Sequence, residues 1–192
     1  MPFKTVYVFG DPGTGKTSMI SMLLTGELPK DIRPTKKIST KRGTIRVEKE
    51  NNSITIKETN ATEIRDENNR LIDDYGKEYQ FQHQENIPEY IYLVYDITRR
   101  ETFDSIQQFW IPYINQLHFH AKVRTLVGNK KDLEEHRVVS EEEGREYASR
   151  NNFQFMEYSS FLDDSETKLL KTVASSFRRG EKYTMAMNCT LL

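Results

Sequence analysis

The stretch "GDPGTGKTS" does more than any other to limit what this chain can become. Gly10, Gly15, Lys16 and Thr17 stand at G-x-x-x-x-G-K-[ST] spacing. Directly before them, Thr5 to Phe9 (TVYVF) is a short apolar run of β-branched and aromatic residues, which reads as a buried strand. Directly after, Thr17 to Leu24 carries apolar Met19, Ile20, Leu23 and Leu24 and reads as a helix, with Gly26 as its stop. A glycine bend between strand and helix lets successive backbone N–H groups turn inward onto an anion. The helix behind it adds its positive N-terminal end. In such a bend Lys16 reaches the β- and γ-phosphates of a nucleotide, and the Thr17 hydroxyl is placed to ligate Mg²⁺. The alternative is a plain glycine turn with a solvated lysine, and the strand-before, helix-after context argues against it.

Further along, the apolar pattern keeps changing period. "TIRVEKENNSITI" alternates through Ile45 and Val47, breaks at Asn51-Asn52 and resumes at Ile54 and Ile56, as a hairpin with one buried face would. "YIYLVYDIT", "VRTLVGN" and "FQFMEYS" are continuous apolar runs, the mark of strands covered on both faces. Between them lie helical patterns: Glu101 to Leu117, which Pro112 should kink or shorten; a segment opened by the capping-box pattern Ser140-Glu141-Glu142-Glu143; and Thr167 to Phe177, where Leu169, Leu170, Val173, Ala174 and Phe177 share a face. Strands alternating with helices argue for an α/β layered fold with a mostly parallel sheet and one antiparallel edge strand. Asp66 to Glu89 fits no element; a polar loop that long is usually functional or mobile.

Bulk properties narrow the partners. The 192 residues suit one domain, carry 30% charged residues and sum to a net charge of -1. No global field draws the chain to nucleic acid, so an anionic ligand must be held locally. A single cysteine, Cys189, excludes a disulfide framework and suits a reducing compartment. No signal region, myristoylation glycine or membrane-spanning run is visible, which suggests a soluble intracellular domain. His83, His118, His120 and His136 show no metal-ligand spacing, Trp110 reads as a helix-packing residue, and Tyr90, Tyr92 and Tyr95 as packing around a central strand.

After the strand "RTLVG" comes "NKKD": Asn129, Lys130, Lys131 and Asp132. The Asp132 carboxylate could accept two hydrogen bonds from the N1–H and exocyclic amine of guanine, whereas adenine offers the wrong donors. With this second motif in place, the chain resembles the Ras superfamily of small GTPases over nearly its whole length. "LVYDITRRETFDSIQQFW" and "LVGNKKDLEEHRVVSEEEGREYA" look like Rab and Ras segments, while Trp110 to Pro112 and "GNKKDL" are similar to Rho proteins. The Asp132 to Ser159 spacing leaves no room for the extra Rho helix, so the chain reads as a divergent member between Ras and Rab.

The resemblance implies a P-loop small G domain over residues 1–178, with six strands and about five helices, followed by a tail over 179–192. It implies GTP/GDP and Mg²⁺ as ligands. Gly10, Asp11 and Gly13, Thr14, Gly15, Lys16, Thr17 and Ser18 would hold the phosphates; Asn129, Lys130 and Asp132 would hold guanine. Ser159 and Ser160 would support the base from the loop where the family has Ser-Ala-Lys, with Phe161 in place of the lysine. Thr35 in "IRPTKK" matches the first-switch threonine that ligates Mg²⁺ and meets the γ-phosphate. Leu28 takes the place of an aromatic ring that stacks on the base.

At the second switch the family's D-x-x-G-Q is replaced by Glu58-Thr59-Asn60-Ala61-Thr62. Glu58 keeps an outer-shell charge for Mg²⁺ on a longer stem. Ala61 keeps an N–H for the γ-phosphate, but its Cβ restricts the backbone. Thr62 stands where a glutamine orients the attacking water, and phosphoryl transfer depends on that positioning. Asp96 lies 38 positions beyond Glu58, further than the family spacing, so an insertion is expected within Asp66 to Glu89. The catalytic set is therefore Lys16, Thr35 and Thr62, with slow GTP hydrolysis expected. Cys189-Thr190-Leu191-Leu192 is a C-a-a-X ending whose leucine favours geranylgeranylation of Cys189. With so few basic residues before it, one lipid would attach the chain only marginally to the cytoplasmic face of a membrane. Effector, exchange-factor and GTPase-activating proteins are the implied partners of a monomer that does not bind nucleic acid. The rivals are a pseudo-GTPase that holds nucleotide without switching and an ATP-using P-loop kinase, the latter opposed by Asp132.

Overall fold

Six short apolar segments pair into a single sheet in the order β2-β3-β1-β4-β5-β6. They are β1 (Lys4–Phe9), β2 (Ser39–Val47), β3 (Glu50–Glu58), β4 (Tyr90–Asp96), β5 (Val123–Asn129) and β6 (Gln154–Tyr158). The computed structural model describes residues 4–30, 39–47, 50–58, 89–116, 121–162 and 173. β2 runs antiparallel to β3 at the edge; every other pairing is parallel. This is the mixed sheet expected from the change of hydrophobic period.

Alternation along β1 shows how the sheet is covered. Tyr7 and Phe9 enter one buried cluster with Ile91, Leu93, Phe103, Trp110 and Ile114. Val6 and Val8 enter another with Met19, Ile20, Ile54 and Ile56. Successive side chains of a strand point to opposite faces, so a run with no polar residue is buried on both. The helix α1 (Lys16–Thr25) covers the second face, joined by Val173. The first face is covered by α2 (Arg100–Ser105), α3 (Ile111–Gln116) and α4 (Glu141–Arg150). Full burial of an aliphatic or aromatic side chain contributes about 1.5–3 kcal/mol, so these clusters are the main source of stability. Tyr90, Tyr92 and Tyr95 are buried in the central strand, as read from the sequence.

Between α2 and α3 the helical rod does not stop. Ile106–Trp110 forms a π-helical turn, closed by the Ile111 N–H on the Ile106 carbonyl. Pro112 follows at once in the first turn of α3, where its missing N–H costs least. The proline thus leaves a widened turn in place of the kink or early end expected from the sequence.

The hairpin register corrects a second expectation. β2 and β3 pair from Ser39↔Glu58 through to Val47↔Glu50, so the chain reverses between Val47 and Glu50. Asn51 and Asn52 lie inside β3, with Asn52 opposite Ile45 and buried. Asparagine is poor in strands and common in turns, which is why the pair reads as a break.

Half of the capping box read at α4 forms. Ser140 Oγ accepts the Glu143 N–H at 3.1 Å, while the Glu143 carboxylate turns away to chelate Arg100 at 2.7 and 2.8 Å. Ser140→Ala should therefore cost about 1 kcal/mol, the usual worth of such a cap. A urea titration should show a lower midpoint with an unchanged slope; an unmoved midpoint would mean that the cap contributes nothing.

Of the last helix expected over Thr167 to Phe177, Val173 alone is described, helical and 2% exposed. Thr35, Ala61, Thr62, Cys189, the 179–192 tail and nearly all of Asp66 to Glu89 lie outside the described residues. Among the described residues, no helix is long and apolar enough to cross a membrane, and no group of His, Cys, Asp and Glu is set to hold a metal.

Candidate functional site

Parallel strands β1, β4, β5 and β6 bring their carboxyl ends to one edge, and the loops that follow them meet there. Ligands of open α/β sheets bind outside these ends, where the chain departs to either side. β1 delivers the glycine bend, β4 delivers Asp96 to Arg99, β5 delivers Asn129 to Asp132, and β6 delivers Ser159 to Phe161.

In the bend, Gly13 and Gly15 take φ of 73° and 89°, the left-handed region that a side chain disfavours. Thr14 closes the turn with its hydroxyl on the Asp11 carbonyl at 2.9 Å. Lys16 is 3% exposed, and its ammonium rests on the carbonyls of Gly10 and Asp11, each at 2.8 Å. Burial pulls its pKa down to about 8, against the opposing charges of Glu58 and Asp11. A buried ammonium resting on two carbonyl dipoles, at the start of α1, is suited to an anion. Ser18 is buried in the same first turn.

Thr17 donates its hydroxyl to a carboxylate oxygen of Glu58, which is 2% exposed at the end of β3. The sequence placed both at a Mg²⁺, and the fold brings these two oxygen-bearing groups into contact. Hard oxygen donors of this kind fit that ion.

The base-side loop is built as a suspended turn. Lys131–His136 is a 3₁₀ turn entered through Lys130, whose φ is 66°. Beneath it Glu157, 2% exposed on β6, pairs with Arg137 at 2.6 Å and Lys131 at 3.2 Å. These two cations sit at either end of the turn and fix it to the sheet. Asp132 projects from it, and its carboxylate accepts a hydrogen bond from Ser159 Oγ. That same oxygen accepts the Phe161 N–H at 3.0 Å. Leu28 is half-buried and Phe161 is 65% exposed.

One bond joins the two halves. Asn129 Nδ2 donates to the Thr14 carbonyl at 2.7 Å, tying the β5 loop to the glycine bend. The Asn129 Oδ1 and the Ser160 Oγ are buried with no hydrogen-bond partner among the described residues. Polar atoms left this way carry a desolvation cost and mark where a polar ligand fits.

Several side chains take positions that local pattern did not foretell. Lys130 was read as a base contact, and its ammonium is engaged with Asp96 at 2.6 Å. Asp96 is fully buried; burial acts to raise its pKa, but hydrogen bonds from Lys130 and Thr98 hold it below the ordinary range. Arg99 spans from Asp96, at 3.1 Å, to the Pro12 carbonyl, at 2.9 Å, and so braces the bend from outside. Asp11, counted with the phosphate residues, turns its carboxylate away from them onto Ser105 and Trp110. Trp110 packs as expected against Phe9, and it also reaches the bend through its indole N–H.

Comparison with known proteins agrees with this geometry. A model of the Ras family matches residues 4–179. The Ras-related protein Rab-1 of Theileria parva is 28% identical over 173 residues, 90% of this chain and 73% of that protein. RABC2a of Arabidopsis thaliana is 33% identical over 155 residues, 80% of this chain and 68% of its own length. Rab-17 of Homo sapiens is 40% identical over a shorter 82 residues, 43% of this chain and 39% of its own.

Proposed function

The chain belongs to the Ras family, and from that premise we propose that it is a guanine-nucleotide switch whose unaided GTP hydrolysis is slow. Membership makes it a small GTP-binding protein of signalling or membrane traffic, of a kind whose relatives are GTPases working with effectors, exchange factors and GTPase-activating proteins. The finer reading rests on one observation: the Asn129 to Thr14 bond holds the anion-seeking bend and the Asp132 loop as one site. A nucleotide spans that distance with its phosphates over Lys16 and its base against Asp132.

Each residue has a physical task. Gly13 to Ser18 offer N–H groups and the α1 N-terminus to the phosphates, and Lys16 supplies the charge. Asp132, held in place by Ser159, accepts from guanine. Thr17 and Thr35 would hold Mg²⁺, with Glu58 as an outer-shell charge, and the ion neutralises phosphate charge when bound. Glu58 is one methylene longer than the family's aspartate, and its direct bond to Thr17 is one way that length is accommodated.

Hydrolysis is where the chain departs from its relatives. Thr62 cannot present both a donor and a carbonyl to an attacking water, and Ala61 limits how the backbone beside it approaches the γ-phosphate. The 1–178 domain would then persist in its GTP state until a partner supplies what Thr62 lacks, while Cys189 tethers it through a prenyl group to the cytoplasmic face of a membrane. The test is single-turnover phosphate release from purified protein loaded with GTP and Mg²⁺. Wild type should release phosphate well below the rate of a glutamine-bearing relative measured in parallel, and Thr62→Gln should raise it. Equal wild-type rates would overturn the slow-turnover reading, and failure to load GTP would overturn the switch itself.

A further inference from the structure

The bend that receives phosphates carries a carboxylate of its own, Asp11, between Gly10 and Gly13. We propose that Ser105 and Trp110 are positioning residues that hold this carboxylate behind the bend, keeping it off the phosphate position and out of direct pairing with Lys16. The proposal rests on the reading of the bend as a phosphate site.

The restraint is specific. A single oxygen, Asp11 Oδ1, accepts from Ser105 Oγ at 2.9 Å and from Trp110 Nε1 at 2.9 Å. Asp11 is 9% exposed and Trp110 is fully buried against Phe9 and Phe109. Two donors on one oxygen fix the direction in which this buried carboxylate points. The partner at hand is Lys16, whose ammonium already lies 2.8 Å from the Asp11 carbonyl. Paired with that ammonium, a released carboxylate would take the cation a phosphate needs. It would also set like charges a few ångströms apart in a poorly solvated bend.

The widened turn makes this restraint possible. Ser105 and Trp110 are five positions apart, and in an α-helix of 3.6 residues per turn they would point roughly 140° away from each other. A π turn bonds residue i to i+5 and stacks such residues one above the other. Here the Ile111 N–H reaches back to Ile106 across this segment, so both donors face the same atom. The π turn is thus the device that lets one helix close on the bend, and Pro112 marks its end.

The test is GDP affinity by calorimetry in Mg²⁺ buffer, using the full chain. Trp110→Phe and Ser105→Ala should each weaken GDP on the order of tenfold, the effect of a like charge at that range. In an Asp11→Asn background, where the amide oxygen accepts the same bonds without the charge, each loss should vanish. Equal losses in both backgrounds would make Trp110 and Ser105 packing residues and overturn the proposal, as would no loss in either. Should Trp110→Phe fold poorly, Ser105→Ala carries the comparison alone.

A second readout needs no nucleotide. Trp110 is the one tryptophan of the chain, so it gives a single indole N–H resonance. That resonance should move upfield in Asp11→Ala; an unmoved peak means the bond is absent and the proposal fails while GDP binding stands. If wild type binds no GDP at all, the phosphate-site reading fails first, and the indole shift still reports the bond.

Discussion

Asp132→Asn is expected to lower affinity for GDP by about two to four orders of magnitude and to raise affinity for xanthosine diphosphate. The arithmetic follows from the pair of bonds involved. A hydrogen bond to a charged group contributes about 1.5–3 kcal/mol, so two of them to one carboxylate are worth about 3–6 kcal/mol. An amide keeps one acceptor and turns a donor toward the exocyclic amine of guanine, leaving two donors facing each other. Xanthine carries a carbonyl at that position, and the amide donor then has its acceptor. Sites built around polar groups discriminate most strongly when a wrong ligand leaves those groups unpaired. The loop itself should survive the change. Glu157 fixes the turn through Arg137 and Lys131 independently of Asp132, and Ser159 can donate to an amide oxygen as it does to the carboxylate. Competition between GDP and xanthosine diphosphate for the purified variant measures the exchange. An unchanged GDP affinity would show that Asp132 does not read the base.

The parts of this architecture that were legible in the sequence are those written locally. β1, β4, β5 and β6 are apolar runs, the bend is a fixed spacing of glycines and lysine, and the α4 cap is a serine three residues before a glutamate. The parts that were not legible depend on residues far apart in the chain. Asp11 finds Ser105 and Trp110 across 94 and 99 positions, and Arg99 finds the Pro12 carbonyl across 87. Nothing in the neighbourhood of Asp11 announces those donors, so the sequence alone counts it with the phosphate residues and does not say where its carboxylate goes. Lys130 shows the same effect of distance: its ammonium pairs with Asp96, which lies on the neighbouring strand. The Asn51-Asn52 pair shows the converse error, a local signal overruled by pairing. Once Ser39 is set opposite Glu58, the register carries both asparagines into β3 whatever their own preference. Trp110-Ile111-Pro112 did hold a usable signal. A proline two residues after a tryptophan in a helical pattern demands an accommodation upstream, and the π turn is that accommodation.

Gly10→Ala should abolish nucleotide binding and destabilise the fold severely, whereas Gly43→Ala should do neither. At Gly10 the φ is +144°, where an L-residue is strained, and an added Cβ would sit 2.2 Å from the Val94 carbonyl oxygen. That oxygen belongs to the backbone of β4, which lies alongside β1, and a carbonyl within a paired strand cannot swing aside. Either β1 separates from β4, losing ladder bonds and the close packing of Phe9, or the bend starts from a different place. Overpacking in a tight interior costs about 1–3 kcal/mol even where side chains can yield, and here the obstacle is main chain. A shifted bend would also carry away the Gly10 carbonyl on which Lys16 rests, and with it the point from which Lys16 meets phosphate. At Gly43, by contrast, the added atom would meet Leu24 Cδ2 at 2.7 Å, the far end of a flexible side chain on α1, and no positive φ stands in the way. Rotation of Leu24 relieves that contact, so the cost should stay below about 1.5 kcal/mol, as for other tolerated changes of shape. Urea midpoints for the two variants, with GDP titrations of whatever folds, separate the cases. A Gly10→Ala protein as stable and as tight for GDP as wild type would show that the bend does not depend on the approach of β1 to β4 at this carbonyl. A Gly43→Ala protein as damaged as Gly10→Ala would show that crowding of any kind, and not the placement of the bend, sets the outcome.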